Sequence, residues 1–271
     1  MSAEPFIHDS SVQTVPFSSF APRVAVITGA AQGIGYVIAQ KLADDGLDVA
    51  VNDIAGKQSK LDSVVDELRR KGRRGIAVPG DVSSEADVIY MVERTATELG
   101  SVDVMVANAG IPAIASFLET SGEMFDSVYT VNVRGVFFCF KHAALQMIKQ
   151  GRGGRLIAAS SSAGKQGTPN LTAYSASKFA VRGLTQTASI ELRRHGITAN
   201  SYAPGYIRTI LGAVSDNVDD NIATVKKLFG APDAPVSEAD TVASIVSYLA
   251  KPEAYFINGQ SINVDGGLRY D

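Results

Sequence analysis

From Arg23 onward the chain alternates short apolar runs with longer stretches in which apolar residues return every three or four positions. The short runs are 24–28, 48–52, 75–79, 102–107, 155–159, 198–203 and 260–264, as a group rich in Val, Ile and Ala. Short runs of this composition have the look of strands covered on both faces. The longer stretches, 34–45, 59–70, 85–99, 123–150, 174–194 and 238–249, carry helical periodicity. Strand–helix alternation repeated this often predicts an α/β fold, a doubly wound parallel sheet of about seven strands with helices on both faces. The seventh strand follows a long irregular stretch, 207–237. No repeat, low-complexity tract or Pro/Gly/Ser linker divides the pattern, so residues 21–271 are expected to form a single domain. Residues 1–20, with Glu4, Pro5, Asp9, Pro16 and five serines, are expected to be a flexible N-terminal extension.

Composition excludes more than it names. Apolar residues are 45% of the chain and charged residues 20%, the balance of an ordinary globular protein. A formal net charge of −3 argues against nucleic acid or an anionic membrane surface as partner. No uncharged apolar run approaches the roughly 18 residues that span a bilayer. The first twenty residues have neither the basic start and apolar core of a secretory signal nor Arg-rich transit character, and Arg269-Tyr270-Asp271 matches no targeting signal. One cysteine, Cys139, excludes an intramolecular disulfide and fits a reducing compartment. Within Val136-Phe137-Phe138-Cys139-Phe140 it reads as a buried, inert thiol. His8, His142 and His195 are too scattered for a metal site. A cytoplasmic protein without metal is expected.

The first run leads directly into Thr28-Gly29-Ala30-Ala31-Gln32-Gly33-Ile34-Gly35 and then a helix. Glycines there allow a tight turn and let backbone N–H groups approach a pyrophosphate at the helix N-terminus. The G-x-x-x-G-x-G spacing is not the G-x-G-x-x-G dinucleotide fingerprint, and such a loop also serves as plain turn chemistry; the strand–helix setting favours phosphate cradling. Asp53 ends the second run eighteen residues after Gly35, where an acid can accept hydrogen bonds from the adenosine ribose hydroxyls. The same charge would repel a 2′-phosphate by roughly 4 kcal/mol at a separation of about 4 Å and an effective dielectric near 20. NAD is therefore expected rather than NADP, although Lys57 and Lys60 lie near enough to weaken that preference.

The candidate chemistry lies in Ala173-Tyr174-Ser175-Ala176-Ser177-Lys178. A phenol normally holds its proton to about pH 10 and is a poor acid–base catalyst near neutrality. An ammonium one helical turn away favours the phenolate, and residues i and i+4 share a helix face. By itself such a pair is most often a solvated stripe; the surrounding motifs give it weight.

Those motifs together resemble the short-chain dehydrogenases/reductases, a Rossmann-type family, from Arg23 to the C-terminus. Residues 28–35 match the glycine loop, which implies cofactor contacts from Gly29, Gln32, Gly33, Ile34 and Gly35. Asp81-Val82 matches the acid that contacts the adenine ring. Ala107-Asn108-Ala109-Gly110 matches the N-N-A-G segment after the fourth strand, with Ala in place of the first Asn. Asn132 matches the helix asparagine, and Ser161, Tyr174 and Lys178 match the Ser-Tyr-Lys group. Ser161 is chosen from Ser160-Ser161-Ser162 because it precedes Tyr174 by the family spacing of thirteen. Pro204-Gly205, Ile207 and Thr209 match the loop holding the nicotinamide amide. Asn258-Gly259-Gln260 and Val264-Asp265-Gly266-Gly267 match the closing strand.

The resemblance implies that hydride moves between the nicotinamide C4 and a carbonyl carbon. Tyr174 would be the general acid or base and Ser161 a hydrogen-bond donor to the reacting oxygen. Lys178 would hold the nicotinamide ribose, and Asn132 a water that relays protons. Residues 174–187 and 260–267 look like the same segments of diacetyl and acetoin (2,3-butanediol) reductases, implying a small secondary alcohol or ketone as substrate. Two alternatives stay open. A 3-oxoacyl thioester reductase would want a basic patch for an acidic carrier, and only Arg193-Arg194 suggests one. A non-catalytic dinucleotide-sensing protein is opposed by the intact Asn132, Ser161, Tyr174 and Lys178 set. Residues 210–236 read equally as a mobile lid or a solvated surface helix. Long apolar faces on 123–150 and 174–194 suit either the sheet or another subunit; the resemblance suggests a homotetramer.

Overall fold

Val24–Thr28 (β1) is buried at every position, as its unbroken apolar run predicts. Ala25 and Ile27 enter the core on one face of the sheet, Val24 and Val26 the core on the other. The computed structural model describes residues 20–209 and 218–270. After β1 come Gly33–Asp44 (α1), Asp48–Asn52 (β2), Gln58–Arg70 (α2), Gly75–Ala77 (β3), Glu85–Leu99 (α3) and Val104–Ala107 (β4). Next are Gly122–Tyr129 (α4), Val136–Gln150 (α5), Gly154–Ala159 (β5), Thr172–Leu192 (α6) and Ile197–Pro204 (β6). Tyr206–Ile207 (β7), Val218–Leu228 (α7), Val236–Ser237 (β8), Ala239–Ala250 (α8) and Ser261–Val264 (β9) complete the order. Seven strands form one parallel sheet, β3-β2-β1-β4-β5-β6-β9, the doubly wound arrangement expected. β7 and β8 form a separate parallel pair.

Helices α1, α2 and α8 cover one face through Ile38, Leu42, Leu61, Leu68, Val242 and Val246. Helices α3, α5 and α6 cover the other through Met91, Phe140, Met147 and Val181. β1 pairs with β2 on one side and β4 on the other. The connection after β1 runs to β2 on one side and that after β4 runs to β5 on the other, which opens a crevice between their carboxyl ends, the usual ligand position in such sheets. Among the described residues no helix is long and apolar enough to cross a membrane, and no cluster of His, Cys, Asp or Glu could hold a metal ion.

The structure departs from the sequence reading at several boundaries. β4 begins at Val104 because the Gln150 side chain takes both backbone groups of Val102, accepting from its N at 2.8 Å and donating to its O at 2.9 Å. β3 ends at Ala77; beyond it, the Asn52 amide donates to Val78 O at 2.9 Å. Residues 123–150, predicted as one helix, are α4 and α5 joined by a π-helical turn, Thr130–Gly135. Gly135 there lies so near Val82 that a Cβ would stand 2.8 Å from Val82 Cγ2. The stretch 207–237 contains β7, α7 and β8; residues 210–217 of the suspected lid lie outside the described residues. Of the expected extension only Phe20 is described, and it is buried, its ring centroid 3.9 Å from the Arg155 guanidinium carbon. The packed chain therefore begins no later than Phe20.

Candidate active site

At the carboxyl ends of the central strands lies a cleft of about 520 Å³. Every site residue predicted from sequence except Gly35 and Asn132 lines it. The glycine loop turns with positive φ at Gly29 (64°) and Gly33 (60°), conformations that disfavour a side chain. Backbone contacts fix the loop to the end of β2: Ala30 N donates to Asn52 O at 2.8 Å and Ala31 N to Asp53 Oδ2 at 3.3 Å. Gly35 serves the loop itself. A Cβ there would stand 2.3 Å from Gly29 O and 2.5 Å from Asn108 Nδ2. Asn108 closes the junction, donating to Thr28 O at 2.9 Å and accepting from the Tyr202 hydroxyl at 2.8 Å.

The residues at this end fit a dinucleotide. Gln32, at the α1 N-terminus, makes no side-chain cap, and the first turn carries no acid. Unpaired N–H groups and the positive end of the helix dipole therefore favour an anion there. Asp53 lines the cleft where a ribose hydroxyl could be held, with Oδ1 accepting from Ile54 N at 2.9 Å. Lys57 and Lys60 both donate to Gln32 Oε1, at 2.8 and 3.0 Å, so two cations stand beside Asp53's end of the loop. Asp81 Oδ1 accepts from Ser83 N at 2.8 Å, which fixes the turn that carries Val82 into the lining.

Further along, α6 presents Tyr174 and Lys178 to the cleft on one face. Lys178 Nζ stands 5.3 Å from the Tyr174 ring centroid and donates to Ala159 O at 2.9 Å. Ser161 opens the turn Ser162–Gly164, where its Oγ accepts from Ala163 N at 3.1 Å, and it lines the same cleft as the Tyr174 phenol. Ser160 Oγ donates to Lys178 O at 3.2 Å, pinning this turn against α6. Gly164 makes the close approach possible: its Cβ would meet Ser160 Oγ at 2.6 Å and Lys178 O at 2.8 Å. Burial is the largest influence on both ionisable groups. It raises the Tyr174 pKa above the ordinary phenol value, with the Ser161 side chain acting the other way, and lowers Lys178 to about 8. The acidification of Tyr174 by Lys178 that the sequence suggested is outweighed by desolvation of the phenol.

Asn132 stands behind the cleft wall in the π turn and is fully buried. Its Oδ1 accepts from Ile111 N at 2.8 Å; its Nδ2 donates to Ile111 O at 3.0 Å and Ser177 Oγ at 3.2 Å. Both side-chain amide hydrogens are thus committed to protein, so a water held by Asn132 would have to donate to an oxygen of that residue. Ser177 Oγ in turn donates to Tyr174 O at 2.7 Å, linking Asn132 to the catalytic helix. Gly110 separates Asn132 from Lys178: a Cβ on it would stand 3.2 Å from Asn132 Oδ1 and 3.4 Å from Lys178 Nζ.

Pro204 ends β6, and Gly205, Ile207 and Thr209 follow it into the lining, with Gly205 backed by Asp265, whose Cβ a side chain would meet at 2.9 Å. Sequence reasoning missed Tyr202, whose phenol stands in the lining bonded to Asn108. Its one signal was a lone phenol near the carboxyl end of an apolar strand. It also missed Asn170, in the left-handed region at φ 60°, whose Nδ2 donates to Leu228 O at 3.1 Å and fastens α7 across the cleft. No local pattern marks that contact.

Comparisons with known proteins agree with this geometry. A family model described as short chain dehydrogenase matches residues 23–219. A short-chain dehydrogenase/reductase of Armillaria gallica is 46% identical over 255 residues, covering 92% of this chain and 97% of that protein. A diacetyl reductase [(S)-acetoin forming] of Staphylococcus epidermidis is 38% identical, covering 92% and 99%. A 3-oxoacyl-[acyl-carrier-protein] reductase of that species is also 38% identical, covering 90% and 98%. Among solved structures, a short-chain type dehydrogenase/reductase from Mycobacterium marinum superposes with a TM-score of 0.84 at 31% identity, over 94% of this chain and 98% of that one.

Proposed function

The chain belongs to the short-chain dehydrogenases, and on that premise we propose that it transfers hydride between NAD(H) and a secondary alcohol or ketone. The observation that carries this is the grouping of the Ser161 hydroxyl, Tyr174 phenol and Lys178 ammonium on one wall of a cleft that also holds the glycine loop. When bound, the nicotinamide supplies or accepts the hydride at C4. Tyr174 gives its proton to the substrate oxygen in reduction and takes it back in oxidation. A phenol holds its proton at neutral pH, and burial shifts this one further that way, which suits reduction. Ser161 orients the carbonyl and donates to its oxygen as charge develops. Lys178 favours the phenolate by its charge and, aimed by Ala159 O, holds the ribose beside it. Asn132 acts mainly as a positioning residue, through Ile111 and Ser177.

NAD is preferred in this reading because Asp53 lines the adenosine end; Lys57 and Lys60, held on Gln32, temper the preference without removing it. Diacetyl and acetoin are the first substrates to assay, given the diacetyl reductase among the relatives. The thioester reading is disfavoured. Arg193 and Arg194 lie at the far end of α6 from Tyr174, roughly 28 Å along the axis at 1.5 Å per residue, too distant to dock a carrier at the cleft mouth. A sensor without turnover would have no use for Ser161, Tyr174 and Lys178 grouped in one cleft.

The proposal extends to a single catalytic domain that takes in Phe20 as well as the expected 21–271, a cytoplasmic location and a homo-oligomer, with the tetramer that the family resemblance suggests. Exposed Leu145 and Ile148 on α5, and Phe179 and Ile190 on α6, support association; light scattering would count the subunits. Cys139, buried and raised to about 12 by desolvation, is consistent with the inert thiol of a reducing compartment. The reaction itself is tested by incubating the chain with NADH deuterated at both C4 positions and a ketone, then weighing the alcohol. Deuterium on the carbinol carbon is expected; unlabelled or absent alcohol would overturn the reaction.

A further inference from the structure

We propose that the substrate has an apolar body larger than a four-carbon diketone, seated between the inner face of α7 and the segment leading into α6. The proposal rests on Tyr174 as the proton-transferring group and concerns the space beyond it. On α7, Ile222 and Val225, followed by Phe229 just past its end, recur at helical spacing and line the cleft, while Asp219, Asp220 and Lys227 stand exposed on the outer side. Ile114, Leu171 and Leu268 line the same cleft, Leu171 only three residues before Tyr174. These walls are fastened together. Asn170 Nδ2 donates to Leu228 O at 3.1 Å, and Ala115 N donates to Asn170 O at 3.0 Å. Helix α7, the loop before α4 and the start of α6 therefore enclose one apolar compartment beside the phenol.

Six apolar side chains there offer more surface than the two methyl groups of diacetyl can cover. Each further methylene buried in such a compartment raises affinity about fourfold. A ring system carrying the carbonyl would meet Ser161 and Tyr174 at its oxygen and bury its carbon frame against Leu171, Val225 and Phe229. The alternation of charged outer and apolar inner positions on α7 answers the question the sequence left open: this helix is a cover for the site.

The test is a series of ketones, diacetyl, cyclohexanone and 2-decalone, assayed with the full chain and NADH. kcat/KM is expected to rise along the series, by at least about 30-fold from diacetyl to 2-decalone, chiefly through a falling KM. Phe229→Ala should lose about tenfold or more of the 2-decalone kcat/KM through KM, with the NADH Kd within about threefold of the parent. Diacetyl turned over as well as 2-decalone, or an unchanged KM in Phe229→Ala, would overturn the apolar-body inference while leaving the hydride-transfer reading intact. Failure of every ketone to oxidise NADH would overturn that reading and the inference with it.

Discussion

Lys178 holds its Nζ 5.3 Å from the centroid of the Tyr174 ring, one helical turn along α6, while the same nitrogen donates to Ala159 O at 2.9 Å. The cation so placed is buried, and the phenol it serves is half-buried. Burial disfavours both charged forms, so the pair is costly to the fold and useful to the reaction. Stability and activity should separate there.

Lys178→Met measures that cost. The lysine drops from 10.5 to about 8 on folding, so between those values the unfolded chain binds a proton that the folded chain does not. Native stability from this group therefore rises with pH across that window and is lowest below it. At pH 7 the variant should gain up to roughly 3 kcal/mol, less about 1 kcal/mol for the lost Ala159 bond, and should lose activity. Urea midpoints at pH 7 and pH 10 check this: the gain shrinks at the higher pH. No gain at pH 7 contradicts the burial argument.

Asp53→Asn should shift cofactor use. Asp53 is partly exposed, so the full Coulomb repulsion of a 2′-phosphate is screened, and a tenfold to hundredfold rise in relative NADPH kcat/KM is expected, about 1.4–2.8 kcal/mol. Lys57 and Lys60 would then face the phosphate unopposed. An unchanged NADH/NADPH ratio would remove Asp53 from the discrimination.

Gly164→Ala should push the Ser161 turn away from α6, because the added methyl meets Ser160 Oγ at 2.6 Å and Lys178 O at 2.8 Å. Overpacking of this kind costs about 1–3 kcal/mol. The specific signature is a fall in kcat of about tenfold or more with NADH affinity retained, since the glycine loop is untouched. Equal losses in kcat and NADH affinity would point to general unfolding instead.

Asn170 separates conformation from contact. Asn170→Gly keeps the left-handed backbone at φ 60° but loses the bond to Leu228 O, so ketone KM should rise several-fold with little loss of stability. Asn170→Ala adds strain of about 1 kcal/mol in the same region and should lower Tm as well. Denaturation and steady-state kinetics on both variants decide it; identical KM in parent and glycine variant would remove the fastening of α7 from the account.

The strands and the glycine loop were legible because local signals agree there. An apolar run, a glycine cluster and the onset of helical periodicity all meet at Thr28–Gly35. Tyr174 and Lys178 were legible because helix geometry alone puts i and i+4 on one face. What escaped the sequence depends on long-range contact. The π turn around Asn132 accompanies the approach of Gly135 to Val82, more than fifty residues away. The phenol's raised pKa reflects how α6 is buried, which spacing does not encode. The inner face of α7 was visible as a pattern, but its docking depends on Asn170.

The central claim is that the Tyr174 phenol exchanges the proton at the substrate oxygen. Tyr174→Phe removes that oxygen alone, so ketone reduction by NADH should fall at least about 100-fold in kcat while NADH affinity, measured by fluorescence titration, stays within a few-fold. A Phe variant that keeps kcat within tenfold of the parent would contradict it.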